Sequence, residues 1–407
     1  MTRQMDRRDF VRLAGSAALG SFAVGCGNGS DPGQTGAAIG AGGTGSTGGP
    51  GVAPLSADAA RAAGWAGYDE AVVVDALAGP IQFNIPQEGL PLGPEALAAA
   101  RESGITALNL TVNARPTETL SAFAATNEKM SAWATEIDAH PDVFRLVRST
   151  ADIAAAKAAG QLGIAFGFQD GVSFEDDLSR LDLYHTDGLR IVQLTYNVRN
   201  GLGSGSLAPS DDGLTDFGRD AVARMDGLGI LVDLSHCGPQ TTLDGIRAST
   251  KPVSISHSGC NAVYRHPRNK DDDALRLVAE RGGVFGVYLM PFLNPSGPPT
   301  AEDVIVHIEH ALTVCGEDHV GIGSDQGIVG LDVSGDFRER FDAVSAQRAA
   351  AGIAAPREDT VPYVPELNHP RRLETIAALL DSRGHASPVI EKVLGANFVR
   401  LFAEVWA

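Results

Sequence analysis

From residue 68 onward, short apolar runs alternate with amphipathic stretches along the chain. Eight runs rich in Val, Ile and Leu occupy residues 71–77, 105–112, 164–170, 191–197, 230–236, 253–257, 283–290 and 320–325. Near-continuous apolar runs of this length are typical of parallel strands that are buried on both faces, and helical periodicity fills stretches between them, as in 214–229 and 272–283. Eight such units in about 250 residues predict a (β/α)8 barrel.

The rest of the globular chain fits this arrangement. An open doubly wound sheet is the competing architecture, but no G-x-G-x-x-G pattern follows the first strand. Residues 330–367 are less regular and are interpreted as an insertion after the eighth strand. The stretches "HPRRLETIAALLDSRG" and "PVIEKVLGANFVRLFAEVW" predict helices that close the outside of the barrel. Residues 56–407 are therefore predicted to form one barrel domain.

The first 26 residues resemble an export signal rather than a folded element. Arg7 and Arg8 are followed by Phe10 and by an apolar segment too short to span a bilayer, as in twin-arginine signals. The segment ends in "FAVGC", so that Cys26 resembles a lipidated cysteine, and the Gly-rich residues 27–55 predict a flexible tether. We expect a periplasmic protein or a membrane-anchored lipoprotein. A cleaved signal with an incidental cysteine is the alternative.

Composition and net charge limit the classes of molecule that the protein is expected to bind. The chain has 407 residues, of which 43% are hydrophobic, and this is ample for a large core. The formal net charge of -18 disfavours nucleic acid, since phosphates would be repelled. A small-molecule or dipeptide substrate is expected, with membrane contact only through a lipid on Cys26. The sequence leaves open whether the chain forms a homodimer. The three cysteines beyond Cys26 give an odd count and no disulfide framework.

Polar residues at the ends of the predicted strands are the candidates for chemistry. The fifth strand ends at His236, the sixth at His257 and the eighth at Asp325. The active sites of such barrels lie at the carboxyl ends of the strands, so these side chains are expected to converge. Two imidazoles with a carboxylate are a common ligand set for zinc. By itself, a strand-end histidine is more often a hydrogen-bonded structural residue.

Longer motifs then show a resemblance to a known family. The segments "GLTDFGRDAVARMDGLGILVDLSHC", "PVSISHSGC" with "HPRN", and "DHVGIGSD" resemble the membrane (renal-type) dipeptidases, which are peptidase family M19 of the amidohydrolase superfamily. The resemblance covers residues 68–407. It implies a (β/α)8 barrel with two zinc ions that hydrolyses dipeptides, including those with D-configured C-terminal residues.

Four residues carry over from the family's pattern. The resemblance implies that His236 and His257 are ligands of one zinc ion and that Asp325 handles the proton of the attacking water. It also implies that Arg268, in "HPRN", binds the substrate carboxylate, a task suited to a bidentate and permanently charged guanidinium.

Four positions depart from that pattern. The family's first-strand D-G-H-x-D motif is "DALAG" here, so Leu77 and Gly79 replace the His and Asp that bind the other zinc, although Asp75 is kept. Gln169 replaces the bridging Glu, and its neutral amide is a weak ligand. Tyr196 replaces the His that contacts the scissile carbonyl, and a phenol can still donate a hydrogen bond there.

These departures favour one metal ion over two. We expect a dipeptidase-like metallohydrolase with about one zinc per chain, held by His236 and His257 with help from Gln169 or Asp325. Asp325 and Tyr196 are the predicted catalytic residues, and Tyr196 and Arg268 the predicted substrate-binding ones. The alternative is a derivative that has lost the dizinc site and serves lyase- or isomerase-type chemistry or ligand binding.

Overall fold

The computed structural model describes residues 54–81 and 90–406. The predicted export signal, residues 1–26, and nearly all of the predicted tether lie outside the described residues. Among the described helices, none combines the length and the apolar character that a membrane crossing requires.

Eight parallel strands form the barrel, as predicted from the apolar runs. In spatial order they follow the sequence, each paired with the next. The strands of the chain are β1 (Val74–Asp75), β2 (Ala78–Gly79), β3 (Ala107–Thr111), β4 (Phe144–Val147), β5 (Leu162–Phe168), β6 (Leu189–Gln193), β7 (Leu231–Asp233), β8 (Ser254–Ser258), β9 (Val284–Val287), β10 (Val320–Ile322) and β11 (Gln326–Gly327). The barrel itself consists of β1, β3 and β5 to β10, and each of these overlaps one predicted run.

Helices precede, separate and follow the barrel strands along the chain. They are α1 (Ala57–Ala63), α2 (Pro94–Glu102), α3 (Ala122–Ala139), α4 (Thr150–Ala159), α5 (Arg180–Thr186), α6 (Asp216–Leu228), α7 (Pro239–Ala248), α8 (Asp272–Glu280), α9 (Ala301–Cys315), α10 (Phe337–Ala350), α11 (Arg372–Ser382), α12 (Ser387–Glu391) and α13 (Asn397–Val405). The predicted helices at 214–229 and 272–283 correspond to α6 and α8, and the predicted closing helices to α11 and the α12–α13 stretch.

Backbone hydrogen bonds join the first barrel strand to the last. The amide of Ala76 donates to the carbonyl oxygen of Ile322 over 3.0 Å. Beyond this point β2 and β11 continue the contact as a short parallel pair. The buried Asp75 side chain strengthens the seam, because its carboxylate accepts from the backbone and the hydroxyl of Ser324. The seam fixes the start of the loop that carries Asp325.

Two glycines leave room for the strand that carries His257. A Cβ atom on Gly286 of β9 would come within 2.0 Å of the Ser256 carbonyl oxygen, and one on Gly323 would come within 2.1 Å. Real Cβ atoms do not approach oxygen so closely, so alanine at either position would displace β8. The small residues in "VFGVYLM" and "VGIGSD" therefore let three strands converge beneath the site.

Two elements differ from the sequence-based expectation. Strand β4 was not predicted, and it pairs with the first half of β5, while β6 pairs with the second half. The insertion 330–367 is more regular than expected, since it contains the 14-residue helix α10. This helix buries only Phe337 and Phe341, which pack with Leu331 in a small cluster of their own. Two apolar positions give too little periodicity for a prediction.

Candidate active site

A cavity opens at the carboxyl ends of the barrel strands. It brings together five of the predicted site residues: Gln169, Tyr196, His236, Arg268 and Asp325. The sixth, His257, is fully buried and lies beside His236, with the two ring centroids 5.0 Å apart and the ring planes at 61°. The carboxyl ends of the strands and the loops that follow them thus place all six residues at the predicted end of the barrel.

The protonation of His236 follows from its partner, Asn197. The Nδ2 group of Asn197 donates to the carbonyl oxygen of Ile353 over 2.9 Å, which orients the amide. Its Oδ1 atom therefore faces Nδ1 of His236 at 2.6 Å and must accept from it. The proton sits on Nδ1, and Nε2 carries a free lone pair.

A buried carboxylate sets the same tautomer at His257. The hydroxyl groups of Ser235 and Ser256 both donate to Asp233, over 2.7 and 2.6 Å. The Ser256 oxygen can then only accept from Nδ1 of His257, which lies 2.8 Å away. The lone pair of His257 is therefore also on Nε2. A carboxylate that orients a histidine in this way is a common outer shell of metal sites.

The two Nε2 atoms are buried, and neither has a hydrogen-bond partner among the described residues. Burial, assisted by the nearby Arg268 cation, lowers the pKa of both imidazoles well below the ordinary value. Both rings are therefore neutral at pH 7 and present unused lone pairs, which is what a metal ion requires. This donor set fits a metal ion such as zinc.

The described residues do not supply a full set of charged metal ligands. Within residues 54–81 and 90–406, no cluster of three His, Cys, Asp or Glu side chains is arranged to hold a metal ion. The carboxylate of Asp75 accepts hydrogen bonds from Ser324 at the seam between the first and last barrel strands. The carboxylate of Asp170 accepts hydrogen bonds from the Asn200 side chain and the Val172 amide. Gln169 lines the cavity, with its backbone fixed by Asn113 and Gln193. The two histidines therefore stand as a pair with a neutral amide nearby.

Arg268 is a buried cation without a carboxylate partner in the described part of the chain. Its side chain is 1% exposed, and its guanidinium donates to the Ser235 carbonyl oxygen over 2.5 Å. One such bond leaves several N–H donors for a ligand. A buried charge is costly unless it is paired, so an anion in the cavity would be held strongly.

Asp325 combines a strained backbone with a perturbed carboxyl group. Its φ of 55° lies in the left-handed region, and its amide donates to the Leu77 carbonyl oxygen over 2.8 Å. Burial raises the pKa of Asp325 to about 7, although the Arg268 cation acts in the opposite direction. A carboxyl that titrates near neutrality inside a cleft has the properties of a general base.

Tyr196 packs against the histidine pair. Its ring stacks on His236, with centroids 4.2 Å apart and an interplanar angle of 22°. Burial raises the pKa of the phenol above its ordinary value, so it is protonated at neutral pH and can donate a hydrogen bond.

The insertion supplies a wall of the cavity that the sequence did not reveal. The residues of the insertion that line the cavity are Phe341, Val344, Ser345, Arg348, Ala355, Glu358, Thr360 and Pro362. His266 was also missed: its Nδ1 accepts from the Arg268 amide, so its Nε2 donates to the Pro356 carbonyl oxygen over 2.8 Å. The position of His266 in "HPRN", two residues before Arg268, was a usable signal.

A second pair of histidines, His307 and His310 on α9, makes structural hydrogen bonds. Nδ1 of His307 accepts from the Cys260 amide and its Nε2 donates to the Leu293 carbonyl oxygen, so no lone pair is left. His310 pairs with Asp272 on α8.

With this geometry established, comparison with known proteins decides the family. The sequence profile described as membrane dipeptidase (peptidase family M19) matches residues 92–338, more than half of the chain. The chain belongs to the membrane dipeptidase family. The matched region includes β3 to β10 and begins after β1. The first-strand motif, with its departures at Leu77 and Gly79, therefore lies outside the matched region.

Two related proteins of similar sequence are named dipeptidases. Dipeptidase verJ of Clonostachys rogersoniana is 27% identical over 285 residues, which is 69% of this chain and 71% of that protein. Dipeptidase tcpJ of Claviceps purpurea is 29% identical over 271 residues, which is 65% of this chain and 53% of that protein.

Solved structures share the fold. An amidohydrolase from Pseudomonas aeruginosa superposes with a TM-score of 0.71 at 32% identity, over 86% of this chain and 99% of that one. A metallopeptidase of Rhodobacter sphaeroides, solved with a phosphinate mimic of L-Ala-D-Ala, superposes with a TM-score of 0.66 at 20% identity, over 83% of this chain and 99% of that one. The M19 member described here is thus an α/β barrel hydrolase of the dipeptidase type.

Proposed function

We propose that this protein hydrolyses a dipeptide or another small amide with a free carboxylate, and that it uses one zinc ion held by His236 and His257. The observation that carries the proposal is the pair of buried Nε2 lone pairs, each fixed by a different hydrogen-bond network. A zinc ion bound there would polarise a carbonyl group and lower the pKa of water.

The residues of the cavity account for the remaining steps. Arg268 binds the substrate carboxylate, since it is the buried cation that lacks a carboxylate partner in the described residues. Asp325, when ionised, takes the proton of the attacking water and passes it to the leaving amine. The Tyr196 phenol donates to the oxygen of the scissile carbonyl as negative charge develops on it.

One ion rather than two is proposed from the chemistry of the replaced positions. Leu77 and Gly79 have no donor atoms in their side chains, and Gln169 is neutral where a bridging carboxylate would balance two cations. The described residues also provide no third charged ligand beside the two histidines. The relatives are named dipeptidases, which supports amide hydrolysis, and we extend that reaction class to this chain as part of the proposal.

The test is a panel of L,L- and L,D-dipeptides, with N-acyl amino acids beside them, assayed on zinc-loaded protein. Hydrolysis that disappears on chelation and returns with zinc supports the proposal. Tight binding of panel members without hydrolysis at any metal load would reject it. That result would favour the alternative of a binding barrel or of different chemistry.

Replacing Ser256 by alanine is expected to weaken zinc binding about 10- to 100-fold, because His257 then loses the hydroxyl that fixes its tautomer. Competition with a chromogenic chelator measures the affinity. Ser254→Ala is the control, since this buried serine on the same strand makes only a 3.4 Å hydrogen bond to the Val232 carbonyl oxygen. Equal affinities in the two variants would contradict the assignment.

Replacing Arg268 by glutamine is expected to lower kcat/KM about 10- to 150-fold, mainly through KM, because a charged hydrogen bond contributes about 1.5–3 kcal/mol. The loss should be confined to substrates with a free carboxylate. A C-terminal carboxamide substrate should lose much less in the same variant. Arg265→Gln, in an exposed side chain of the same loop, is the matched control. An equal loss with both substrates would argue against carboxylate binding.

A further inference from the structure

The insertion places one arginine against the catalytic face of the barrel. Arg348 lies near the end of α10 (Phe337–Ala350) and lines the cavity. Its Nη2 group donates to the Tyr196 hydroxyl over 3.3 Å, and its guanidinium carbon lies 5.8 Å from the centroid of that ring. Tyr196 and Arg348 are 152 residues apart in the chain, so this contact joins the insertion to the loop after β6.

The direction of this hydrogen bond matters for chemistry. A guanidinium can only donate, so the phenol oxygen of Tyr196 is the acceptor. The phenol's own hydrogen is left without an acceptor among the described residues. His236 covers one face of the ring by stacking. Stacking on His236 holds the ring, and the bond from Arg348 holds the phenol oxygen. The O–H group is therefore left to donate a hydrogen bond to a ligand in the cavity, which Tyr196 lines.

Arg348 is itself held in place by the insertion. Its Nε group pairs with Glu358, whose other carboxylate oxygen accepts from the Ala355 amide over 2.6 Å. The Glu358 carboxylate also balances the charge of Arg348. A second substrate carboxylate would have to displace Glu358, so a direct anion-binding role is the weaker interpretation.

The same segment is tied to the residues that orient the metal and carboxylate sites. Asn197, which fixes His236, donates to the Ile353 carbonyl oxygen. His266, two residues before Arg268 in the loop, donates to the Pro356 carbonyl oxygen. The insertion therefore reaches the site through three separate polar contacts, one of which is the bond from Arg348 to Tyr196.

We infer that Arg348 is a positioning residue, which orients the Tyr196 hydroxyl as a donor and makes the activity of the site depend on the seating of the 330–367 insertion. This inference rests on the proposed function in assigning that hydroxyl to the carbonyl oxygen of the substrate. The structural part, the linkage of α10 to Tyr196, holds independently of the reaction.

A double-mutant cycle tests the chemical part. Arg348→Gln is expected to lower kcat about tenfold with little change in KM, a smaller loss than removal of an entire oxyanion donor. Arg348→Lys should restore part of it, since an ammonium can also donate to the phenol. In a Tyr196→Phe background, Arg348→Gln should cost less than about twofold, because its target is already gone. Full and additive losses in the double variant would overturn the inference.

Hydrogen exchange of the 337–350 segment tests the structural part without any substrate. We expect faster exchange in Arg348→Gln and in Tyr196→Phe than in the unchanged protein. Arg340→Gln is the control, because it removes a side chain of the same helix that is 45% exposed and pairs with Asp336. Unchanged exchange in Arg348→Gln, or equal acceleration in Arg340→Gln, would overturn the linkage.

The two measurements separate the failure of the inference from that of the proposed function. If the protein cleaves no amide but exchange accelerates as expected, the proposed function fails and the linkage of α10 to Tyr196 stands. If it cleaves amides but the double-mutant losses are additive, the proposed function stands and the positioning role of Arg348 fails.

Discussion

Alanine in place of His236 or His257 is expected to remove the bound metal and to lower hydrolysis by at least about 10³-fold. Each imidazole supplies one of two buried Nε2 lone pairs that have no other partner in the described residues. A single remaining nitrogen would not hold zinc at ordinary concentrations, and metal polarisation contributes several kcal/mol to such reactions. Metal content by mass spectrometry and initial rates on the best substrate measure the two effects.

The control for this experiment is His185→Ala, on the outer helix α5, which removes an imidazole outside the cavity. It should keep both the metal and the rate. If His236→Ala bound as much zinc as the unchanged protein, the metal would have to lie elsewhere, and the assignment would be wrong.

Asparagine in place of Asp325 is expected to reduce kcat/KM about 10²- to 10⁴-fold, the usual contribution of a general base. In the unchanged protein the rate should rise with pH and level off above about pH 7, because burial raises the pKa of Asp325 to about 7 and the base must be ionised. The residual rate of the variant should not show this rise. Asparagine tolerates the left-handed backbone at this position, so the substitution changes the charge without adding strain.

A stability measurement shows whether the Asp325 variant is folded. The pKa of Asp325 is higher in the folded protein than in the unfolded chain, so its stabilising contribution is present at low pH and is lost as pH rises through about 7. Asparagine is neutral throughout, so the variant should gain stability relative to the unchanged protein above pH 7. A full rate at pH 8 in the variant would exclude Asp325 as the base.

The local pattern of apolar residues was enough to predict the barrel and the polar residues at the ends of its strands. The apolar runs are short and distinct, because the strands are buried on both faces, and this places His236, His257 and Asp325 at a common end. The structure brings these residues together with Arg268 and Tyr196 around one cavity or directly beneath it.

The supporting contacts could not be predicted, because they join residues that are distant in the chain. Asp233 is linked to His257 through the hydroxyl of Ser256. Asn197 is hydrogen-bonded to both His236 and Ile353. Arg348, from the insertion, donates to Tyr196 in the loop after β6. Each contact depends on a packing arrangement that exists only once the barrel has closed. Strand β4 was missed for a related reason: only two of its four residues are buried, so it lacks a continuous apolar signal.

The number of zinc ions bound per chain distinguishes a site with one metal ion from a site with two. The protein is loaded with excess zinc, passed through a desalting column and measured by inductively coupled plasma mass spectrometry against protein concentration from amino-acid analysis. We predict about one zinc per chain, bound by the two histidines. Two ions per chain, or none, would rule out a single zinc ion held by His236 and His257.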